Sequence, residues 1–172
     1  MSTKNLILIG FMGVGKGTIA RALAIRSDLY VLDTDDLIES MYNMSIKKIF
    51  KDFGEDYFRS LEHKTADWLE NNVKATLIST GGGFFKVPNL KKIGNVLYLE
   101  SSFDSIYERI IKHPKADRKL KKRPLFQNID SAKKLYETRK LQYESVADIT
   151  VSVENKELDD VVDEILPYLK NL

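Results

Sequence analysis

The sequence predicts an α/β fold in which a parallel sheet is covered on both faces by helices. Short β-branched apolar runs alternate along the chain with longer stretches of helical periodicity, a pattern that needs crossover connections and hence parallel strands. The runs are apolar throughout, as strands buried on both faces are. Polar and glycine-rich segments follow their C-terminal ends, where open α/β sheets gather their chemistry.

The first run, Leu6 to Ile9, leads into Gly10-Phe11-Met12-Gly13-Val14-Gly15-Lys16-Gly17-Thr18, and Ile19 to Ile25 reads as a helix rich in alanine and leucine. A strand, a glycine-rich turn ending in Gly15-Lys16 and a helix form the context of a phosphate-binding loop. Its N–H groups turn inward on a polyphosphate, the helix N-terminus adds partial positive charge, and Lys16 reaches the outer phosphates. Gly13, Val14, Gly15, Lys16, Gly17 and Thr18 are thus candidates for binding a nucleoside triphosphate. The pattern places Ser or Thr directly after the lysine, but here Gly17 stands before Thr18, so the hydroxyl expected on Mg²⁺ is missing.

Tyr30 to Leu32 is the second strand, ending in Asp33-Thr34-Asp35-Asp36 before a helix from Leu37 to Tyr42. Carboxylates there suit both a site at the strand end and the capping of a helix N-terminus, and one reading does not exclude the other. Ser45 caps a short helix bearing Ile46, Ile49, Phe50 and Phe53, which Gly54 stops. A longer helix from Glu55 to Asn72 carries Phe58, Leu61, Thr65, Trp68, Leu69 and Asn72 on a loosely apolar stripe, with Arg59 and Glu62 spaced to pair.

Thr76 to Ser79 is the third strand, followed by Thr80-Gly81-Gly82-Gly83. Three glycines are costly in chain entropy, and fit either a close approach to the backbone or a flexible turn. Asn95 to Leu99 is the fourth strand and Ser102 to Ile111 the next helix. Residues 112–130 are polar, basic and long for a connection, which leaves a lid, a binding loop, disorder or a solvated charge run open. A helix after Ser131 places Ala132, Leu135, Tyr136, Arg139, Tyr143 and Val146 on one stripe, so Arg139 faces inward and needs a partner. Ile149 to Val153 is the fifth strand, and Asn155 caps a last amphipathic helix.

The 172 residues suit about one domain, and 43% hydrophobic with 30% charged residues is ordinary globular composition. A net charge of +2 gives no strong field toward nucleic acid or membrane. No run approaches the roughly 18 apolar residues of a membrane span, and no signal peptide precedes the first strand. With no cysteine, thiolate chemistry and disulfides are excluded, and a cytoplasmic location fits. His63 and His113 stand alone and read as solvent-facing.

Taken together, the loop ending in Gly15-Lys16, Leu32-Asp33-Thr34-Asp35, Gly54-Glu55 with Phe58-Arg59 and Glu62, Ser79 to Gly83, Arg123-Pro124-Leu125, and Arg139 with Tyr143 and Ala147-Asp148 resemble a shikimate kinase over essentially the full length. The resemblance implies a three-layer P-loop NTPase fold with a five-stranded parallel sheet and a mobile lid, here residues 112–130. It implies a single domain, 1–172, with its shikimate-binding region at about 33–62. The implied reaction moves the γ-phosphoryl of Mg²⁺-ATP to the 3-hydroxyl of shikimate, in the route to chorismate and aromatic amino acids. By the same resemblance Asp35 binds the shikimate hydroxyls and acts as base, and Asp33 holds Mg²⁺ through water, with Thr18 a second candidate. Arg59 and Arg139 grip the carboxylate, Glu62 orients Arg59, and Gly81, Gly82 and Gly83 meet the substrate. Arg123 joins Lys16 at the ATP phosphates. Arg109 and Arg118 are the alternatives for facing the adenine, with residues 154–156 on its other side. The partners are shikimate and ATP, without nucleic acid or membrane, and the enzyme is a monomer.

Gly-Lys-Gly-Thr is also the adenylate-kinase form of the loop, but those enzymes carry Asp-Gly-Phe-Pro-Arg where this chain has Ser79 to Gly83. A gluconate-type kinase shares the fold and lacks the arginine pair. A GTP-driven switch needs Asn-Lys-x-Asp, and Asn155-Lys156-Glu157-Leu158 fails at the last position.

Overall fold

The computed structural model describes residues 4–114, 116, 120 and 124–169. Five strands, β1 (Asn5–Ile9), β2 (Val31–Asp33), β3 (Leu77–Ser79), β4 (Gly94–Glu100) and β5 (Ile149–Ser152), form one sheet in the order β2-β3-β1-β4-β5. Every neighbouring pair is parallel. All five residues of β1 are buried, as the continuous apolar run requires of a central strand. In register, Leu8 lies beside Ser79, and Ser79 beside Asp33, so the C-terminal ends of β1, β3 and β2 open side by side.

Flanking the sheet are α1 (Lys16–Ile25), α2 (Thr34–Tyr42), α3 (Ile46–Asn72), α4 (Leu90–Ile93), α5 (Phe103–Ile111), α6 (Ile129–Val146) and α7 (Leu158–Leu169). Helices α1 and α7 pack on each other, α3 packs on α2 and α4, and α6 lies over β4. Within α3 the helical path breaks at Gly54 (φ 86°, ψ 175°), so the stop expected there is a kink between two helical segments. Ser45 caps the first segment as expected, accepting from Lys48 N. No helix among the described residues is long and apolar enough to cross a membrane.

The core divides in two. The larger part fills the sheet faces, and a smaller cluster of Ile38, Ile49, Phe58 and Leu61 joins α2 to α3. At the end of the sheet away from the strand C-termini, the buried Asn5 amide donates to Val73 O (2.9 Å) and Ile93 O (2.8 Å), while its Oδ1 accepts from Thr76 N (3.1 Å). One side chain thereby ties three chain segments together.

Some local expectations are corrected. Asn155 caps nothing: it is a left-handed turn residue (φ 55°), and α7 starts three residues later. Helix α6 begins before Ser131, because Asn128 accepts from Ser131 N (3.0 Å) and so caps it. Trp68, read on the apolar stripe of α3, is 46% exposed. Two 3₁₀ turns, Phe84–Lys86 and Pro124–Gln127, were not legible as periodic stretches.

Candidate active site

The phosphate loop joins β1 to α1. Gly15, the residue before α1, is left-handed (φ 108°, ψ 14°), a conformation that glycine takes without steric cost, and its carbonyl accepts the first helical bond from Ile19 N (2.9 Å). Lys16 folds back over the loop, its Nζ donating to Gly10 O (2.7 Å) and Phe11 O (3.3 Å). Phe11 anchors the loop from beneath in an aromatic cluster with Phe103, Tyr136 and Phe126. Phe126 belongs to the turn Pro124–Gln127, so the end of the 112–130 segment is packed directly against the phosphate loop.

Asp33 caps α2, its Oδ1 accepting from Asp35 N (3.0 Å) and Asp36 N (3.3 Å), while Oδ2 accepts from Ser79 Oγ (2.8 Å). Both readings of this acidic run therefore hold in part: Asp33 punctuates the helix and also lines the groove beside the phosphate loop. Asp35 is different. Its Oδ1 is buried with no hydrogen-bond partner, and burial, reinforced by the Asp33 and Glu62 charges and opposed by Lys16, pushes its carboxyl up to about 7. A carboxylate poised near neutrality suits a general base. Gly81 makes room for it, since a Cβ there would stand 2.5 Å from Asp35 Oδ1.

The two arginines converge on the neighbouring glycines. A Cβ on Gly82 would meet Arg139 NH1 at 3.2 Å, and one on Gly83 would collide with the Arg59 guanidinium. The glycine run is thus a close approach of side chains to backbone. Arg59 NH1 donates to Glu62 Oε2 (2.6 Å), and its Nε and NH2 both donate to Glu55 Oε1 (3.1 and 2.7 Å). The Glu62 side chain is 2% exposed and that of Glu55 63%. Burial pushes the Glu62 carboxyl up against the pull of Arg59, whereas the Arg59 bonds hold Glu55 below its ordinary range. Arg139 Nε is buried without a partner, and beside it Tyr143 donates from its hydroxyl to Gly82 O (2.6 Å). Burial pushes the Tyr143 hydroxyl up to about 12, so it remains a donor.

A groove of about 760 Å³ runs from Lys16, Asp33, Asp35 and the Gly81–Gly82 turn to Arg109, His113 and Lys156. That volume suits a nucleotide-sized ligand. His113, expected in solvent, lies in the groove wall. Burial lowers the Arg109 guanidinium, the one member of its expected pair that is described. Arg118 and Arg123 lie outside the described residues. Thr18 lines the groove but is exposed. Among the described residues no cluster of three acidic or histidine side chains could hold a metal by itself. The carboxylates that do line the groove are those of Asp33 and Asp35, and one or two carboxylates beside phosphates are the donors that suit Mg²⁺, which keeps several waters. Ser79 as the tether of Asp33 and Tyr143 on Gly82 are site residues whose roles were not anticipated, because each pairing depends on folded proximity; Glu55 on the Arg59 fork was also missed, although its spacing of four on one helix is a local signal.

A family model described as shikimate kinase matches residues 12–170. A shikimate kinase of Helicobacter hepaticus is 41% identical over 140 residues, 81% of each chain. One from Sulfurihydrogenibium is 38% identical over 171 residues, 97% of this chain and 98% of its own. Among solved structures, the Acinetobacter baumannii shikimate kinase in complex with shikimate superposes with a TM-score of 0.83 at 30% identity, covering 98% of this chain and 93% of its own. A gluconokinase from Sinorhizobium meliloti, at 12% identity and a TM-score of 0.57, shares the fold alone. With the phosphate loop and the acidic strand end on one groove and the paired arginines against the glycine turn at its edge, this chain belongs to the shikimate kinase family.

Proposed function

We propose that the chain transfers the γ-phosphoryl group of ATP to the 3-hydroxyl of shikimate, giving shikimate 3-phosphate and ADP. The observation that carries this reading is the placement of Arg59 and Arg139 against the same glycine turn that receives Asp35. Guanidinium forks suit a carboxylate, and a carboxylate beside them suits hydroxyls. A ring acid bearing both groups is complementary to that arrangement.

Phosphoryl transfer requires positioning and charge neutralisation more than covalent help. In this reading Arg59 and Arg139 hold the substrate carboxylate, Glu62 orients Arg59, and Gly81, Gly82 and Gly83 form the wall beside it. Asp35 accepts the proton of the attacking hydroxyl. Lys16 exchanges its loop carbonyls for phosphate oxygens, with the N–H groups of Gly13, Val14, Gly15, Gly17 and Thr18 around it. Arg123 is assigned to the phosphates by its motif, within a lid over residues 112–130. Mg²⁺ would be held through water by Asp33, with Thr18 near it, and would neutralise charge on the phosphates. The reading extends to a cytoplasmic monomer built as one domain and acting on two small molecules.

The test is ADP release from Mg²⁺-ATP with shikimate, AMP, gluconate or no acceptor. Release with shikimate alone is the expected result. Release with AMP or gluconate would transfer the assignment to a nucleotide or sugar-acid kinase.

A further inference from the structure

Gly17 is the residue at which the phosphate loop departs from its usual pattern, and a side chain one turn further on occupies the space beside it. Gly17 and Arg21 are four apart on α1 and share a helix face. Helical side chains lean toward the N-terminus, which carries the Arg21 guanidinium back over Gly17. Its NH1, NH2 and Cζ lie 3.3, 3.8 and 3.9 Å from the position a Cβ on residue 17 would take. A Cβ at 17 would press on NH1 and require the guanidinium to give by a few tenths of an ångström, and a longer side chain would compete with it for that space. Arg21 lines the same groove as Lys16, Thr18, Asp33 and Asp35. Among the described residues it makes no ion pair.

We propose that Arg21 is a triphosphate-binding residue admitted by Gly17: its guanidinium donates to a non-bridging phosphate oxygen from the side where related loops carry a hydroxyl. The inference rests on reading the groove as an ATP site. A guanidinium presents several N–H donors and a permanent charge, and its hydrogen bonds to phosphate are among the stronger kind. Position 17 thereby changes from a neutral hydroxyl, suited to a metal ion, to a cation that acts on the phosphates directly. Nucleotide binding by this chain should accordingly depend less on Mg²⁺ than it would with a hydroxyl there. Gly17 and Arg21 form a unit, because the glycine matters through the space it leaves for the arginine.

The experiment is calorimetric titration of ATP into the purified full-length protein without acceptor, in excess EDTA and again in excess Mg²⁺. Arg21→Ala should weaken ATP binding in EDTA by about tenfold, the scale of one charge-assisted hydrogen bond, and by less in Mg²⁺. Gly17→Ala should weaken it by a smaller factor in the wild-type background and scarcely at all in the Arg21→Ala background, a coupling that a simple clash with nucleotide would not produce. Arg21 is exposed, so a thermal melt of Arg21→Ala should match the wild type and confirm that the variant is folded. ATP affinity within twofold of wild type for Arg21→Ala in EDTA would overturn the inference while leaving the ATP site intact. Failure of the wild-type protein to bind ATP under either condition would overturn the nucleotide reading, and this inference with it.

Discussion

The Asp35 carboxylate lies against the Cα of Gly81, so closely that a methyl group there would stand 2.5 Å from Oδ1. Gly81 N in turn donates to Thr34 Oγ1 (3.1 Å), which holds the turn against the start of α2. The two sides of the acceptor site are thus fitted to each other, and Gly81→Ala should displace Asp35. Steady-state kinetics should show kcat falling by one to two orders of magnitude while ATP affinity stays near wild type; an unchanged kcat would contradict the fit.

Asp35 should also govern the pH profile. Its carboxyl is pushed up to about 7, so the base form is depleted below that pH, and log(kcat/KM) should rise with unit slope to about pH 7 and then level. Asp35→Asn should remove that rise and cut kcat by roughly 100-fold or more, within the range of a general base. Stability moves the other way. Between its ordinary value of 3.8 and about 7 the folded state binds more protons than the unfolded state, so folding weakens as pH rises through that window. The melting temperature of Asp35→Asn should therefore exceed wild type above pH 7 and lose that advantage near pH 4.

Glu55 and Glu62 act on Arg59 from opposite edges and should respond oppositely to neutralisation. Glu55 is exposed and takes the Nε edge of the guanidinium, where a substrate carboxylate would compete with it. Glu55→Gln should lower the KM for shikimate by about two- to fivefold at similar kcat, the range of an exposed pair. Glu62 is buried against Arg59, and Glu62→Gln should raise that KM because the fork loses the charge that orients it. Initial-rate measurements on both variants test the contrast, and two shifts of the same sign would refute it.

Arg59→Ala and Arg139→Ala should each raise the KM for shikimate by about ten- to 100-fold, the scale of charge-assisted hydrogen bonds, and leave ATP binding near wild type. Tyr143→Phe removes the bond to Gly82 O and should have a smaller effect of the same sign. Shikimate titrations at saturating ATP provide the measurement, and KM values at the wild-type level would take these residues out of the site.

Asn5→Leu should be a stability variant alone. It leaves Val73 O, Ile93 O and Thr76 N without their partner, at a cost of about 3 kcal/mol or more. Urea unfolding should report that loss with KM values unchanged, because the clamp lies at the far end of the sheet.

Much of this site was legible in the sequence because its parts sit next to periodic elements. The phosphate loop, the acids after β2, the stop at Gly54 and the glycine run after β3 all stand at boundaries that composition marks. The inward orientation of Arg139 followed from helical spacing alone. What escaped reading depends on distance in space. Ser79 reaches Asp33 across 46 residues and Tyr143 reaches Gly82 across 61, and no local pattern announces either pair. The environment of Gly17 was hidden for another reason: a missing side chain gives no sign of which neighbour fills its place. Asn155 misled because asparagine serves helix caps and left-handed turns equally well.

The break at Gly54 has a thermodynamic consequence. No atom lies within 4 Å of where its Cβ would be, so the glycine is there for its backbone angle. The segment before it, with α2, is joined to Phe58 and Leu61 by a satellite cluster separate from the main core. Cooperative units of small buried area open at lower free energy than the sheet they adjoin. Amide hydrogens over residues 34–53 should accordingly exchange with solvent sooner than those of β1, and ligands that bridge the two units should slow them. Substrate occupancy beside this segment should then register as local protection even where the global melting temperature scarcely changes.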